Sequence, residues 1–335
     1  MPKIAILGSG GMGTAMALVF AEKPENHVVL WSHTATRHAE LATARENRRY
    51  LPGLPLPDSI ELTAEAPHAL SGAELVVAAI PTSFLRGTLQ PLAPLLAPQA
   101  PVVSVVKGVE YDTLLRPSQI LEQVWGARPT AALCGPSHAE EFARRLPCSV
   151  VVAGQQAELL RLVQGWLSTD RFRVYTNRDL VGVELGGALK NVVAIAAGIC
   201  DGLEYGDNAK AALLSRGLVE ITRLGTALGA DADTFTGLAG LGDLIATCCS
   251  RFGRNRKVGE LIGRGLSLEE ALGQIHGVPE GVATCRSIHQ LAERRRLDMP
   301  ICAEVYRVLF EGKSAVSATD SLMNRPPRSE GRAAS

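Results

Sequence analysis

The chain has 335 residues, enough for two domains, and 46% of them are hydrophobic, which provides for a large core. Lys plus Arg equals Asp plus Glu at 34 each and aromatics make up only 4%, so the sequence has neither the basic excess of a nucleic-acid binder nor the stacking side chains of a single-strand binder. Its 7 cysteines are odd in number and scattered without a CxxC, which suits neither a zinc site nor a disulfide framework; reduced thiols in a cytoplasmic protein, and no metal, are expected.

The start, Met1 to Gly8, lacks the pattern of a signal peptide. No uninterrupted apolar stretch reaches the roughly 18 residues needed to cross a bilayer, so no integral membrane segment is expected. Ile4 to Leu7 reads as a buried strand ending at Gly8, and a helix follows, with Ala15, Leu18 and Val19 at helical spacing. Val28 to Trp31, Leu75 to Ile80 and Pro101 to Val106 read as further strands, and Ala131 to Leu133, Ser149 to Ala153 and Phe172 to Tyr175 as weaker ones. Continuously apolar strands separated by helices imply a parallel sheet covered on both faces. Beyond about residue 180 the periodicity is helical. Val183 to Ile199 is one long apolar segment, Leu214, Leu218, Ile221, Leu224 and Leu228 form a stripe, and Pro300 opens a helix with Val305, Val308 and Leu309 on its buried face. The polar, Pro-rich tail is expected to be disordered.

Gly8-Ser9-Gly10-Gly11-Met12-Gly13 fits GxGxxG, between a strand and a helix. Gly8 permits the tight turn, Gly10 the approach of a pyrophosphate, and Gly13 close helix–strand packing, while the helix N-terminus offers free N–H groups to phosphate. The sequence therefore calls for an α/β N-terminal dinucleotide-binding (Rossmann-like) domain, residues 1–180, followed by an all-α domain, 181–320, and a tail, 321–335. An acid that would bond the ribose of NAD is missing after the second strand, where Ser32, His33 and Arg37 could accommodate a 2′-phosphate instead, so NADP(H) is favoured with NAD(H) open.

Lys107 follows the fourth strand, at the edge where ligands of such sheets bind. Lys190 lies inside the long apolar segment, and a lysine there either snorkels out or faces a functional cleft. Burial or a neighbouring cation would lower its pKa and make it a usable proton donor and acceptor. Gly240-Leu241-Gly242-Asp243-Leu244 places an acid in a glycine turn, either to orient Lys190 or a substrate hydroxyl or to cap a helix. The run Arg251 to Lys257 reads as an anion site or as a solvated helix face. Gly135-Pro136-Ser137-His138 could present N–H groups and a hydroxyl to a ligand.

Together with Leu51-Pro52, Val106-Lys107-Gly108, Phe172-Arg173-Val174-Tyr175, Gly182 through Asn191, Arg254-Asn255-Arg256 and Glu280-Gly281, these segments resemble NAD(P)-dependent glycerol-3-phosphate dehydrogenase of the bacterial type, over roughly residues 3 to 315. The resemblance implies interconversion of sn-glycerol 3-phosphate and dihydroxyacetone phosphate with NADP(H) or NAD(H), for phospholipid synthesis, and a possible homodimer. It implies Lys190 as the catalytic residue, and Lys107, Gly135, Ser137, Lys190, Asp243, Gly253, Arg254 and Asn255 as substrate-binding. It implies Gly8, Gly10, Gly11, Met12, Gly13, Ser32, His33, Lys107, Ala139, Arg254, Val278 and Glu280 as cofactor-binding. The family usually carries Ser and an aromatic where Gly11 and Met12 stand, an aromatic in place of His138, and Ser in place of Gly253. Two alternatives are a 3-hydroxyacid or 6-phosphogluconate type of dehydrogenase and a non-catalytic nicotinamide sensor.

Overall fold

The computed structural model describes residues 1–327 and 329–330. Eight strands form one sheet: β1 (Lys3–Leu7), β2 (His27–Trp31), β3 (Ile60–Thr63), β4 (Leu75–Ala78), β5 (Val102–Ser104), β6 (Thr130–Cys134), β7 (Cys148–Gly154) and β8 (Phe172–Asn177). Their order is β3-β2-β1-β4-β5-β6-β7-β8. The first six strands are parallel, as the apolar runs predict, but β7 turns antiparallel to β6 and β8 then runs parallel to β7, so the sheet is mixed. The hairpin-like reversal satisfies the ladder without a crossover. β3 was not expected: at four residues, with Glu61 and Leu62 half-buried on an outer strand, it lacks the apolar run that marks the interior strands.

In register, Leu7 lies beside Trp31 on one side and Ala78 on the other, and Ala78 beside Ser104. The carboxyl ends of β1, β2, β4 and β5 therefore share one edge, and the strand order reverses between β1 and β4, where α/β sheets open a crevice. Apolar side chains pack on both faces of the sheet, with Ile4, Ile6 and Val28 on one side and Ala5, Leu7 and Val29 on the other.

After β8 the described chain is helical. Asp179 caps the next helix, Leu180–Gly202, by accepting from the Gly182 N–H at 2.8 Å. By length and composition this 23-residue helix could cross a membrane, contrary to the sequence expectation, but 89% of its most apolar window is buried inside the protein, as in a core helix. It packs against the helices Gly206–Ala227, Asp243–Cys249, Arg254–Gly263 and Glu280–Arg295. The tight glycine turn read from sequence at Gly240 to Leu244 is instead the end of a π-helical turn, Leu238–Gly242, running straight into Asp243–Cys249. The helix Pro300–Phe310 buries Val305 and Leu309 and leaves Val308 half-buried. The last helix, Ala315–Met323, includes the first three residues of the tail expected to be disordered; of that tail, 328 and 331–335 lie outside the described residues.

Candidate active site

A cleft of about 710 Å³ opens along the shared strand edge and reaches the long helix of the helical half. The glycine elbow forms its floor. Gly8 has φ +114, and a Cβ there would meet the Ala79 carbonyl oxygen at 2.7 Å; a Cβ at Gly13 would lie 1.8 Å from the Gly8 oxygen. The first helix, Gly11–Ala21, thus presses on the turn, and no side chain caps its N-terminus. A Cβ at Gly10 would have nothing within 4 Å. An open backbone elbow with uncapped N–H groups fits the pyrophosphate of a dinucleotide.

Gly8, Gly10, Gly11, Met12, His33, Ala139, Val278 and Glu280 line this cleft. Ser32 does not: it is 1% exposed and its hydroxyl donates to Ser9 Oγ at 2.8 Å, behind the elbow, which corrects its reading as a cofactor contact. Gly13 also lies off the wall, as its packing role requires. Glu280, half-buried in the first turn of its helix, accepts the Thr82 N–H at 2.7 Å and so ties the helical half to the start of the helix Thr82–Leu89 that follows β4. Burial raises its pKa.

Opposite the elbow, Lys190 is 5% exposed and reaches the cleft from the middle of Leu180–Gly202. Its ammonium donates to Asp243 Oδ1 and to Thr247 Oγ1. Thr247 stands one helical turn beyond Asp243, a spacing that could have marked it in the sequence. Lys107 Nζ donates to the other Asp243 oxygen at 2.8 Å, to Ser137 Oγ at 2.9 Å and to the Gly135 carbonyl at 2.9 Å. One buried carboxylate therefore holds two ammonium groups. The turn at Gly135 supplies acceptors to Lys107, where sequence suggested donors to a ligand. Cys134 adds a thiol 3.4 Å from Asp243 Oδ2, a contact no motif announced.

The electrostatics separate the two lysines. Burial pulls Lys190 down to about 8, with Lys107 pushing the same way and Asp243 opposing. For Lys107, burial is outweighed by Asp243, and its pKa rises above the ordinary lysine value. Burial alone would raise Asp243, but the two ammonium groups keep it ionised and below its usual value. Burial lowers His138, whose Nε2 lies 3.2 Å from the Ala246 carbonyl, and pushes the Cys134 thiol up to about 11.

Of the basic run at 251–257, Phe252, Gly253, Arg254 and Asn255 reach the cleft, where the helix Arg254–Gly263 begins. Arg256 pairs with Asp201 and Glu260, and Lys257 with Glu260, so the cluster is not one anion site but one arginine and a set of structural ion pairs. A Cβ at Gly253 would meet the Thr247 carbonyl oxygen at 2.7 Å, which favours glycine there. Asn255 Oδ1 accepts the Gly281 N–H at 2.9 Å. Periodicity also gave no sign of Arg49, Tyr50 and Phe84, which sit on the wall in loop and helix-edge positions.

Residues 3–160 match the family described as NAD-dependent glycerol-3-phosphate dehydrogenase N-terminus, and residues 179–320 match its C-terminus. The chain is 49% identical to glycerol-3-phosphate dehydrogenase [NAD(P)+] of Syntrophomonas wolfei, over 98% of this chain and 97% of the relative. It is 47% identical to the Bacillus pumilus enzyme of the same name, over 97% and 95%. The crystal structure of glycerol-3-phosphate dehydrogenase from Coxiella burnetii superimposes with a TM-score of 0.93 at 37% identity, covering 96% of this chain and 98% of that one. With sheet, helical half and cleft all matched over nearly the full length, the chain belongs to the NAD-dependent glycerol-3-phosphate dehydrogenase family.

Proposed function

We propose that the cleft carries out reversible hydride transfer between NAD(P)H and dihydroxyacetone phosphate, yielding sn-glycerol 3-phosphate for phospholipid synthesis, with Lys190 as the proton donor and acceptor. The observation that carries the assignment is the ammonium of Lys190, buried in an apolar helix yet open to the cleft across from the glycine elbow. A bound nicotinamide supplies the hydride. Lys190 polarises the ketone oxygen and hands it a proton; the resulting neutral amine is tolerated because burial has already brought its pKa to about 8. Asp243 keeps the ammonium oriented, and Thr247 fixes its second direction. Lys107, held charged and anchored on Ser137 and Gly135, places a permanent cation beside the reacting oxygen. Arg254, at a helix N-terminus together with Gly253 and Asn255, receives the substrate phosphate, whose binding energy orients the carbonyl. The division into a dinucleotide domain through residue 180 and a substrate domain beyond it follows the same reading. So do a homodimer, a cytoplasmic setting consistent with seven unpaired thiols, and the absence of any role for nucleic acid in a chain of zero net charge.

Steady-state reduction of dihydroxyacetone phosphate, followed by nicotinamide absorbance with NADPH and with NADH, tests the assignment. Turnover with at least one coenzyme is expected. Activity on a 3-hydroxyacid and none on dihydroxyacetone phosphate would overturn it in favour of the related dehydrogenase class.

A further inference from the structure

We infer that His138 reads the substrate itself: its Nδ1 accepts the hydroxyl that the ketone carries on the carbon away from the phosphate, and so selects ketones that have one. The inference rests on the dehydrogenase reading above and adds a specificity residue for the third polar group of the substrate, after its carbonyl and its phosphate.

The cations of the cleft meet the carbonyl and the phosphate, but a hydroxyl that leaves water also needs an acceptor for its proton. The oxygens beside the two ammonium groups are already engaged. Asp243 Oδ1 accepts from Lys190, and Oδ2 accepts from Lys107 at 2.8 Å and lies 3.4 Å from the Cys134 thiol. Thr247 Oγ1 accepts from Lys190. Ser137 Oγ accepts from Lys107 and donates to the Gly135 carbonyl at 2.8 Å.

His138 stands between these groups. It follows Ser137, which anchors Lys107, and its Nε2 lies 3.2 Å from the carbonyl of Ala246, the residue before Thr247, which holds Lys190. The half-buried ring lines the cleft, as does Phe252, whose ring centre is 6.3 Å away. A carbonyl only accepts, so Nε2 carries the hydrogen. In the neutral ring Nδ1 then carries a lone pair, and it has no hydrogen-bond partner among the described residues. Burial holds the ring neutral, and the ammonium groups of Lys190 and Lys107 push the same way, against Asp243 and the Ala246 bond. A neutral ring with a free lone pair suits a hydroxyl; a phosphate would demand a second ring proton beside two ammonium groups. An aromatic, usual here in the family, would bring no such acceptor.

Steady-state kcat/KM for dihydroxyacetone phosphate and for hydroxyacetone phosphate, which has a methyl group in place of the hydroxymethyl group, tests this. The intact protein should favour the first at least about tenfold, the scale of one hydrogen bond. Two variants separate reading the substrate from bracing the turn. H138Q can keep a donor toward Ala246 but has no acceptor at the Nδ1 position, and its ratio should fall below about threefold. H138N can place an oxygen where Nδ1 stands but does not reach Ala246, and its ratio should stay above about threefold. A residue that only braced the turn would lower both efficiencies together and leave the ratio unmoved. Thermal melting of each variant checks that it is folded. Equal efficiency for the two ketones in the intact protein, or an unchanged ratio in H138Q, would overturn the inference; the second result would hand the hydroxyl to another acceptor on the cleft wall, such as Asn191. Either result leaves the dehydrogenase assignment standing. Reduction of neither ketone would overturn that assignment and the inference with it.

Discussion

At residue scale the proposed chemistry rests on two buried charges, Lys190 and Asp243, and the half-buried Lys107, with the one carboxylate shared between the two lysines. Because burial lowers Lys190 to about 8, the direction of the reaction sets the sign of its pH dependence. Ketone reduction needs the ammonium, so turnover should hold at neutral pH and fall as pH rises through about 8; alcohol oxidation needs the amine and should rise over the same range. Asp243 opposes the lowering, so Asp243→Asn should move the falling limb of the reduction profile to lower pH, which a pH series of kcat would register. A limb that stays in place would separate Asp243 from Lys190. Much of this site was legible in the sequence, since a lysine in an apolar helix has few bland explanations. What was not legible is that both oxygens of Asp243 are used, because that depends on Lys107, 136 residues away in sequence, arriving from the end of β5.

Among the elements, the long helix and Arg254–Gly263 carry the residues to which the proposed mechanism assigns proton transfer and phosphate binding. They cross backbone to backbone: a Cβ at Gly198 would lie 1.9 Å from the Arg256 carbonyl oxygen, and one at Gly259 1.9 Å from that of Ile195. Neither obstacle is a flexible side-chain end, so the helices must move apart to accept even one methyl group. Gly259→Ala should therefore destabilise by about 3 kcal/mol or more, at the upper end of overpacking costs, read as a fall in the denaturant midpoint. The close crossing also carries Arg254 toward the cleft, so the surviving folded fraction should show a raised KM for the phosphorylated substrate. Apolar runs announced the interior strands and this helix. They could not announce the antiparallel turn of β7, because an interior strand is equally apolar in either direction, nor the π-helical turn before Asp243, because glycines mark loops and tight packing alike.

At the scale of the whole molecule, function requires that the two halves keep one relative position. Besides Glu280 on Thr82, a second tie is Glu184, which precedes Lys190 on the long helix. Its carboxylate accepts from the Ser118 N–H and Ser118 Oγ, each at 2.7 Å, and from Arg116, all at the start of the sheet-half helix Pro117–Trp125. Glu184→Ala would leave Arg116 unpaired and the Ser118 groups without their acceptor. A loss of about 3–5 kcal/mol is expected by chemical denaturation. A loss below about 1 kcal/mol, the range of a surface pair, would mean the tie is not needed. The resemblance and the glycine motif foretold a sheet half and a helical half, yet Glu184 showed no sign of joining them, since a lone acid in an apolar stretch does not name its partner.

The central claim is that the Lys190 ammonium moves the proton in a cleft that binds the dinucleotide independently of it. The direct measurement sets turnover of Lys190→Ala on dihydroxyacetone phosphate beside a fluorescence titration of coenzyme binding to the same variant. The account predicts a fall in kcat of at least about 100-fold, with coenzyme affinity changed no more than about threefold. Near-normal turnover in a variant that still binds coenzyme would contradict it.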